Sequence, residues 1–311
     1  MASSQHVSAI DIGSNAIRMI VGEIHDQRLH TVQKFRAPVR LGKDVFKHGR
    51  ISEEVLHEAE ETFRRFAEIN RKYRVRGCRA VATSAVREAA NRRQFTQRIL
   101  KTSGIGIEVI DGIEEARLIH TAVQREVDLS RKRLLLIDVG GGSVEITFSE
   151  NGMMSATQSF PMGTVRILQM LQKRKLPEKG LKVVMGEFIQ PLSRYLESHV
   201  GHAPVELAVG TGGNLECMGR LKTEMLGRTP ATLVSLQELT EISERLEALT
   251  VNERIDELNL RPDRADVIVP AVLLVKTVLR QAGVEKLLIP GVGLRDGLLW
   301  SVADHLPASR A

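Results

Sequence analysis

Leu134 to Glu145 reads LLLIDVGGGSVE. The apolar run Leu134-Leu135-Leu136-Ile137 leads into Asp138, Val139 follows, and then come Gly140, Gly141, Gly142 and Ser143. Apolar alternation resumes at Val144, Ile146 and Phe148. This pattern predicts a buried strand, a tight turn and a second strand. Consecutive glycines remove every Cβ from the turn, so backbone N–H groups can approach an anion closely. Asp138 stands at the mouth of the turn, placed to hold a divalent cation directly or through water.

The pattern recurs at Val7 to Asn15, VSAIDIGSN, with Asp11 in the place of Asp138. Ile17, Met19 and Val21 continue the first copy as Val144, Ile146 and Phe148 continue the second. A polar turn at Asp26-Gln27 matches Glu150-Asn151-Gly152. A single I-D-x-G is no more than a strand ending in a turn. Two copies with matched flanks point to an internal duplication, each half opening with a β-hairpin that presents an Asp and a Gly-bearing turn. Two such turns facing each other would make a phosphate clamp.

Composition narrows the class. With 311 residues, 42% hydrophobic and 26% charged, the chain suits two globular domains with real cores. No apolar run approaches the roughly 20 residues of a membrane span, and MASSQHVSAIDIG lacks a basic and then apolar leader. The expectation is a cytoplasmic protein with no membrane partner. Cys78 and Cys217 stand far apart without His at ligand spacing, which argues against a disulfide frame or structural zinc. A formal charge of +6 suits an anionic partner. The basic runs at 71–76, 92–93, 131–133 and 173–175 read individually as solvated helix ends or loops. Aromatic content of 4% gives little support to a nucleic-acid-stacking surface.

Along the chain, strands and helices alternate. In the first half the pattern predicts the hairpin 7–24, a strand at Leu29–Val32 and a loop from Phe35 to Gly49. Ser52 then caps a long amphipathic helix to about Arg71. A strand at Cys78–Thr83 leads to a helix from Ser84 through Leu100, and a strand at Ile107–Ile110 leads to a helix over 113–127. The second half predicts the hairpin 134–149, a strand at Ser155–Phe160 and helices at 161–171 and Leu181–His199. A strand at Val205–Val209 enters GTGGN and a helix from about Leu215. Helices at Ser235–Leu249 and Val267–Ala282 flank a turn at 261–265; a strand at Glu285–Ile289 and a final short helix close the chain. The expected domains are 1–130 and 131–311, with the last helix, about 295–311, packing back on the first.

There is no Walker loop, no dinucleotide fingerprint, no H-E-x-x-H and no G-x-S-x-G, and the nine histidines do not cluster. What remains is a set of Gly-bearing turns at strand ends, 13–15, 140–143, 210–213 and 291–293, joined by Ser84 with Arg87 at a helix start. Ligands of open α/β sheets bind at strand carboxyl ends beside helix N-termini, so these turns are expected to converge on one cleft between the halves. Glu114 and Glu115 open the helix after the strand at 107–110; a first-turn Glu complements the helix dipole, and either carboxylate is open to a further role.

Eight segments in order, VSAIDIGSNAIRMIV (7–21), ATSAVREAAN (82–91), IDGIEEARLI (110–119), LLIDVGGGSVE (135–145), FPMGTVRIL (160–168), AVGTGGNLECM (208–218), RADVIVPAVLLV (264–275) and GLRDGLL (293–299), resemble the exopolyphosphatase / guanosine pentaphosphate phosphatase (Ppx/GppA) family over nearly the whole chain. The resemblance implies an α/β fold of the actin, sugar kinase and Hsp70 (ASKHA) superfamily: two ribonuclease-H-like domains with a phosphate-binding cleft between them. It implies Glu115, the second Glu of EEAR, as the base that activates water. It implies Asp138 and Glu145 as metal ligands, for Mg²⁺ or Mn²⁺. Phosphate contacts carry over onto Ser14, Asn15, Arg18, Arg87, Gly140, Gly141, Gly142, Ser143, Gly212 and Gly213. Arg264, in RAD, is implied in contact with a nucleotide or more distal phosphates. The implied partners are polyphosphate or guanosine penta- and tetraphosphate, in the cytoplasm and the stringent response, and a homodimer is compatible.

Three positions depart from the family pattern: Val144 for a common Thr, Asn214 for a frequent Thr, and Gly291 for a Ser. Longer relatives carry a C-terminal helical extension, so the expectation leans toward short polyphosphate chains. The expected chemistry is in-line attack of water on the terminal phosphorus. The competing classes are a kinase of the same superfamily and a non-catalytic sensor of pppGpp, ppGpp or polyphosphate, with a nucleic-acid-binding protein, resting on charge alone, a distant further reading.

Overall fold

The computed structural model describes residues 5–25, 28–130, 132–201 and 204–306. The turn expected at Asp26-Gln27, Arg131 of the basic run and the end of the last expected helix lie outside the described residues. The chain forms two compact units, Met1–Ala122 with Gly293–Ala311, and Val123–Val292.

The first unit is built on β1 (Gln5–Ile12), β2 (Ile17–His25) and β3 (Arg28–Ala37). From Val7 onward every residue of β1 is buried, as befits a central strand covered on both faces. Then come α1 (Leu41–His48), α2 (Glu53–Lys72), β4 (Gly77–Ala82), α3 (Ser84–Glu88), α4 (Arg92–Ser103), β5 (Ile107–Val109) and α5 (Gly112–Glu126). The sheet order is β3-β2-β1-β4-β5. β1 runs antiparallel to β2 and parallel to β4, and β4 runs parallel to β5. Ser52 caps α2 by accepting from the Val55 N–H.

Two expectations are corrected here. Part of the stretch read as loop, Phe35 to Gly49, is helix α1. Leu41 and Val45 bury one face of it, and Gly42 marks close packing, not a break: its N–H donates to the Ser14 carbonyl at 2.8 Å, and a Cβ there would lie 2.8 Å from Ser14 Cβ. The single helix expected from Ser84 to Leu100 is two, because Ala89–Asn91 leave the helical path. Asn91 holds the Ile51 backbone instead, accepting its N–H and donating to its carbonyl, each at 2.9 Å.

The second unit repeats the plan with β6 (Arg133–Val139), β7 (Val144–Glu150), β8 (Met153–Phe160), α6 (Thr164–Lys173), α7 (Leu181–Val200), β9 (Leu207–Thr211) and α8 (Gly213–Leu226). After them come β10 (Leu233–Ser235), α9 (Leu236–Ala248), α10 (Val251–Asp256), α11 (Pro262–Ala265), α12 (Ile268–Ala282) and β11 (Lys286–Leu288). The sheet order is β10-β11-β9-β6-β7-β8. Read from β8, the run β8-β7-β6-β9-β11 has the order and strand senses of β3-β2-β1-β4-β5, with β10 added antiparallel at the edge. Both units are ribonuclease-H-like: the duplication read from the hairpins and the α/β, actin-like class implied by the family resemblance both hold. The turn expected at 261–265 contains the short helix α11, whose Pro262 stands at a helix start where its missing N–H costs nothing.

The chain closes with α13 (Leu294–Ala303), which belongs to the first unit and packs on β1, β2 and β4. It also crosses α5 closely: a Cβ on Gly297 would lie 2.0 Å from the Leu118 carbonyl oxygen. Among the described residues no helix is long and apolar enough to cross a membrane.

Candidate active site

In the first unit, the register sets Asp11, near the end of β1, opposite Arg18 on β2. Arg18 Nη1 lies 3.4 Å from Asp11 Oδ2. Burial pushes the Asp11 carboxyl above its ordinary 3.8, and the charges of Arg18 and Arg295 pull it back. The following turn is tied to the next strand end: Ser14 Oγ and Ser84 Oγ are 3.0 Å apart, both buried, and the Thr83 N–H donates to the Ile12 carbonyl at 3.2 Å. Asn15 sits half-buried in the same turn.

Arg87 on α3 donates to the Ile110 carbonyl at 2.6 Å and lies 3.8 Å from Glu115 Oε2. The two glutamates of α5 differ sharply. Glu114 accepts from Arg117 Nε at 2.6 Å and from Arg79 Nη2 at 3.3 Å, and the hydrogen bond with Arg117 above all holds its carboxyl below the usual range. Glu115 is buried, next to Arg87. Glu114 is thus committed to a partly exposed ion-pair cluster, while Glu115 is turned inward.

In the second unit, Asp138 at the end of β6 stands opposite Glu145 on β7 and opposite Thr211 on β9. Thr211 Oγ1 donates to Asp138 Oδ1 at 2.5 Å, and Ser159 Oγ on β8 donates to Glu145 Oε1 at 2.7 Å. Between the strands the glycine turn closes with the Gly140 N–H donating to the Ser143 carbonyl at 3.0 Å. The carbonyls of Gly140 and Gly141 accept from the first N–H groups of α6, and the Gly142 carbonyl accepts from Arg166 Nε at 2.8 Å. Gly163 makes this contact possible, since a Cβ there would lie 2.3 Å from the Gly142 nitrogen.

At the end of β9, Gly212 has φ +89 and ψ 160, and the N–H groups of Leu215 and Glu216 donate to its carbonyl as α8 begins at Gly213. Asn214 is buried and donates to the Val139 carbonyl at 3.3 Å.

The donor chemistry fits a divalent cation. Two carboxylates directly opposite on neighbouring strands repel one another unless a cation or a proton intervenes. Asp138 and Glu145 are such a pair, and each has one oxygen oriented by a hydroxyl donor. An all-oxygen donor set of this kind suits a hard divalent cation.

The residues read from the sequence therefore gather in two sets. One holds Ser14, Asn15, Arg18, Arg87 and Glu115 on the strand ends and helix starts of the first unit. The other holds Asp138, Gly140, Gly141, Gly142, Ser143, Glu145, Gly212 and Gly213 in the second. Arg264 is placed differently: it is buried and donates to Asn214 Oδ1, at the first turn of α8. Thr211, Ser159, Arg166 and Arg295 were not singled out from the sequence, although each lies in or beside a quoted motif. Their partners become apparent only from strand register or from the packing of a later helix.

The sequence profile described as the Ppx/GppA phosphatase family matches residues 20–306. Exopolyphosphatase 2 of Mycobacterium tuberculosis is 29% identical over 96% of this chain and 98% of its own length. The crystal structure of an exopolyphosphatase from Cytophaga hutchinsonii superposes with a TM-score of 0.87 at 28% identity, covering 98% of this chain and 100% of that one. A Ppx/GppA family member from Aquifex aeolicus shares the fold, with a TM-score of 0.76 at 23% identity over 98% of this chain and 100% of its own. A profile match that reaches from within β2 to the end of the described residues, with the glycine turn and both glutamates of α5 inside it, places the chain among hydrolases: it belongs to the Ppx/GppA phosphatase family.

Proposed function

We propose that this protein hydrolyses a terminal phosphoanhydride, releasing orthophosphate from inorganic polyphosphate, from pppGpp to give ppGpp, or from both. The observation that carries the reading is the Asp138–Glu145 pair beside a glycine turn whose carbonyls are tied back onto α6. The names of the Mycobacterium tuberculosis and Cytophaga hutchinsonii relatives, both exopolyphosphatases, support polyphosphate as the substrate class.

In this reading Asp138 and Glu145 hold Mg²⁺ or Mn²⁺, which when bound supplies positive charge to the terminal phosphate. The N–H groups of Gly141, Gly142, Ser143, Gly212 and Gly213 bind non-reacting oxygens, as do Ser14, Asn15, Arg18 and Arg87. Glu115 accepts the proton of the attacking water. The water oxygen forms the new bond to the terminal phosphorus while the bridging P–O bond breaks and the shortened chain leaves with its electron pair. Arg87 stands 3.8 Å from Glu115, beside the proposed base. The setting is the cytoplasm.

The test is phosphate release from short-chain polyphosphate, long-chain polyphosphate and pppGpp, side by side, with Mg²⁺ or Mn²⁺ and after chelation. Metal-dependent release from at least one substrate supports hydrolysis. Binding of all three with no release from any would make the protein a sensor.

A further inference from the structure

The first turn of α6 gives its N–H groups to the protein itself. Thr164 N–H donates to the Gly140 carbonyl at 3.1 Å, and the N–H groups of Val165 and Arg166 donate to the Gly141 carbonyl at 2.8 and 3.1 Å. The remaining carbonyl, that of Gly142, is held by a side chain, Arg166 Nε at 2.8 Å. A helix N-terminus ordinarily offers such N–H groups to an anion. Here they fix the loop.

The consequence follows from the planarity of the peptide. In a trans peptide the carbonyl of one residue and the N–H of the next point in opposite directions. Tying the carbonyls of Gly140, Gly141 and Gly142 onto α6 therefore turns the N–H groups of Gly141, Gly142 and Ser143 the other way. Glycine peptides reorient at little steric cost, so three in a row would otherwise sample orientations that present carbonyl oxygen to an anion. Two of the three peptides are pinned by backbone. The third, Gly142–Ser143, is pinned by Arg166.

We propose that Arg166 is a positioning residue for phosphate: it fixes the Gly142–Ser143 peptide so that the Ser143 N–H is preset for an anionic oxygen. This rests on the reading of the 140–143 turn as a phosphate holder. Its work is preorganisation, which appears as affinity and not as chemistry at the reacting atom.

The experiment compares the full-length wild type with Arg166→Lys and Arg166→Gln, using metal-dependent phosphate release from tripolyphosphate and thermal melting. Loss of one charge-assisted hydrogen bond predicts a KM about tenfold higher in both variants, with kcat changed less than KM and a melting temperature within a few degrees. Arg166→Lys keeps the charge but loses the planar Nε–H, so it should retain most of the defect. Full recovery of KM in the Lys variant would reduce the effect to charge and overturn the proposal. A folded Gln variant with wild-type KM would do so as well. If the wild type binds tripolyphosphate without turnover, Kd replaces KM and the comparison stands. A wild type that neither hydrolyses nor binds tripolyphosphate refutes the functional reading itself, and this inference with it.

Discussion

Gly212→Ala bears most directly on the proposed metal site. Gly212 has φ +89 and ψ 160, a region occupied almost only by glycine, where another residue costs on the order of 1–3 kcal/mol. A Cβ there would also lie 3.1 Å from Asp138 Oδ1, the oxygen that accepts the Thr211 hydroxyl. Asp138 must then shift by a few tenths of an ångström or the turn must open. For a unit of this size each kcal/mol moves the melting temperature by roughly 2–4 °C, so the expected loss is about 2–12 °C. Gly283→Ala is the control in the same unit: φ is +66 at the end of α12 and nothing lies within 4 Å of the added methyl. It should cost about 1–2 kcal/mol without touching the acidic pair. Melting each protein with and without Mn²⁺ separates the two effects. The metal-induced rise should survive in the Gly283 variant and shrink in the Gly212 variant. An undiminished rise in the Gly212 variant, with wild-type phosphate release, would refute the coupling between this turn and the metal.

Three further outcomes are expected. Glu115→Gln should lower kcat by about 10²–10⁴-fold with KM nearly unchanged, as loss of a general base does; steady-state kinetics with wild-type turnover would remove Glu115 from that role. Asp11 is raised above 3.8 chiefly by burial, so the folded state binds its proton more tightly than the unfolded chain. Its contribution to stability is therefore full at pH below 3.8 and is lost as pH rises through the raised value, and wild type should lose melting temperature relative to Asp11→Asn across that range. A difference between the two that is flat with pH refutes this assignment. Gly297→Ala places a methyl 2.0 Å from the Leu118 carbonyl and should cost about 1–3 kcal/mol or more by displacing α13 from α5. Because Leu118 is one turn beyond Glu115, kcat should fall with it; an unchanged melting temperature would show that the helices do not meet so closely.

The parts of the fold that were legible in the sequence are those set by local rules. Alternation with I-D-x-G marks both hairpins, and the Ser52 cap marks the start of α2. The parts that were not legible depend on residues distant in the chain. The stretch around Gly42 reads as loop until Ser14 is seen against it, and Asn91 reads as helical until it is seen holding Ile51. The glycine turns and Asp138 were visible in the local pattern, whereas Glu115 and Glu145 were picked out by the family resemblance. The hydroxyls that orient the carboxylates were not: Thr211 lies 73 positions from Asp138, and only the β6–β9 register joins them. Between Glu114 and Glu115, both in the first turn of one helix, the pattern alone left the choice open; the family resemblance pointed to Glu115, and burial and partners set the two apart.

The duplication carries one further argument. In both hairpins the strands are separated by four residues, Gly13–Ala16 in the first and Gly140–Ser143 in the second. Equal turn lengths impose equal registers, so the residue seven places after each aspartate is its cross-strand partner. In the first copy that residue is Arg18, which neutralises Asp11. In the second it is Glu145, which doubles the negative charge at Asp138. A like-charged pair directly across a ladder is destabilising in itself, and the cation proposed for this site would offset that repulsion. The same backbone thus yields an Asp–Arg pair in one copy and an Asp–Glu pair in the other, which the proposed function uses for phosphate and for a cation. The difference rests on one side chain at a position the turn length has already fixed.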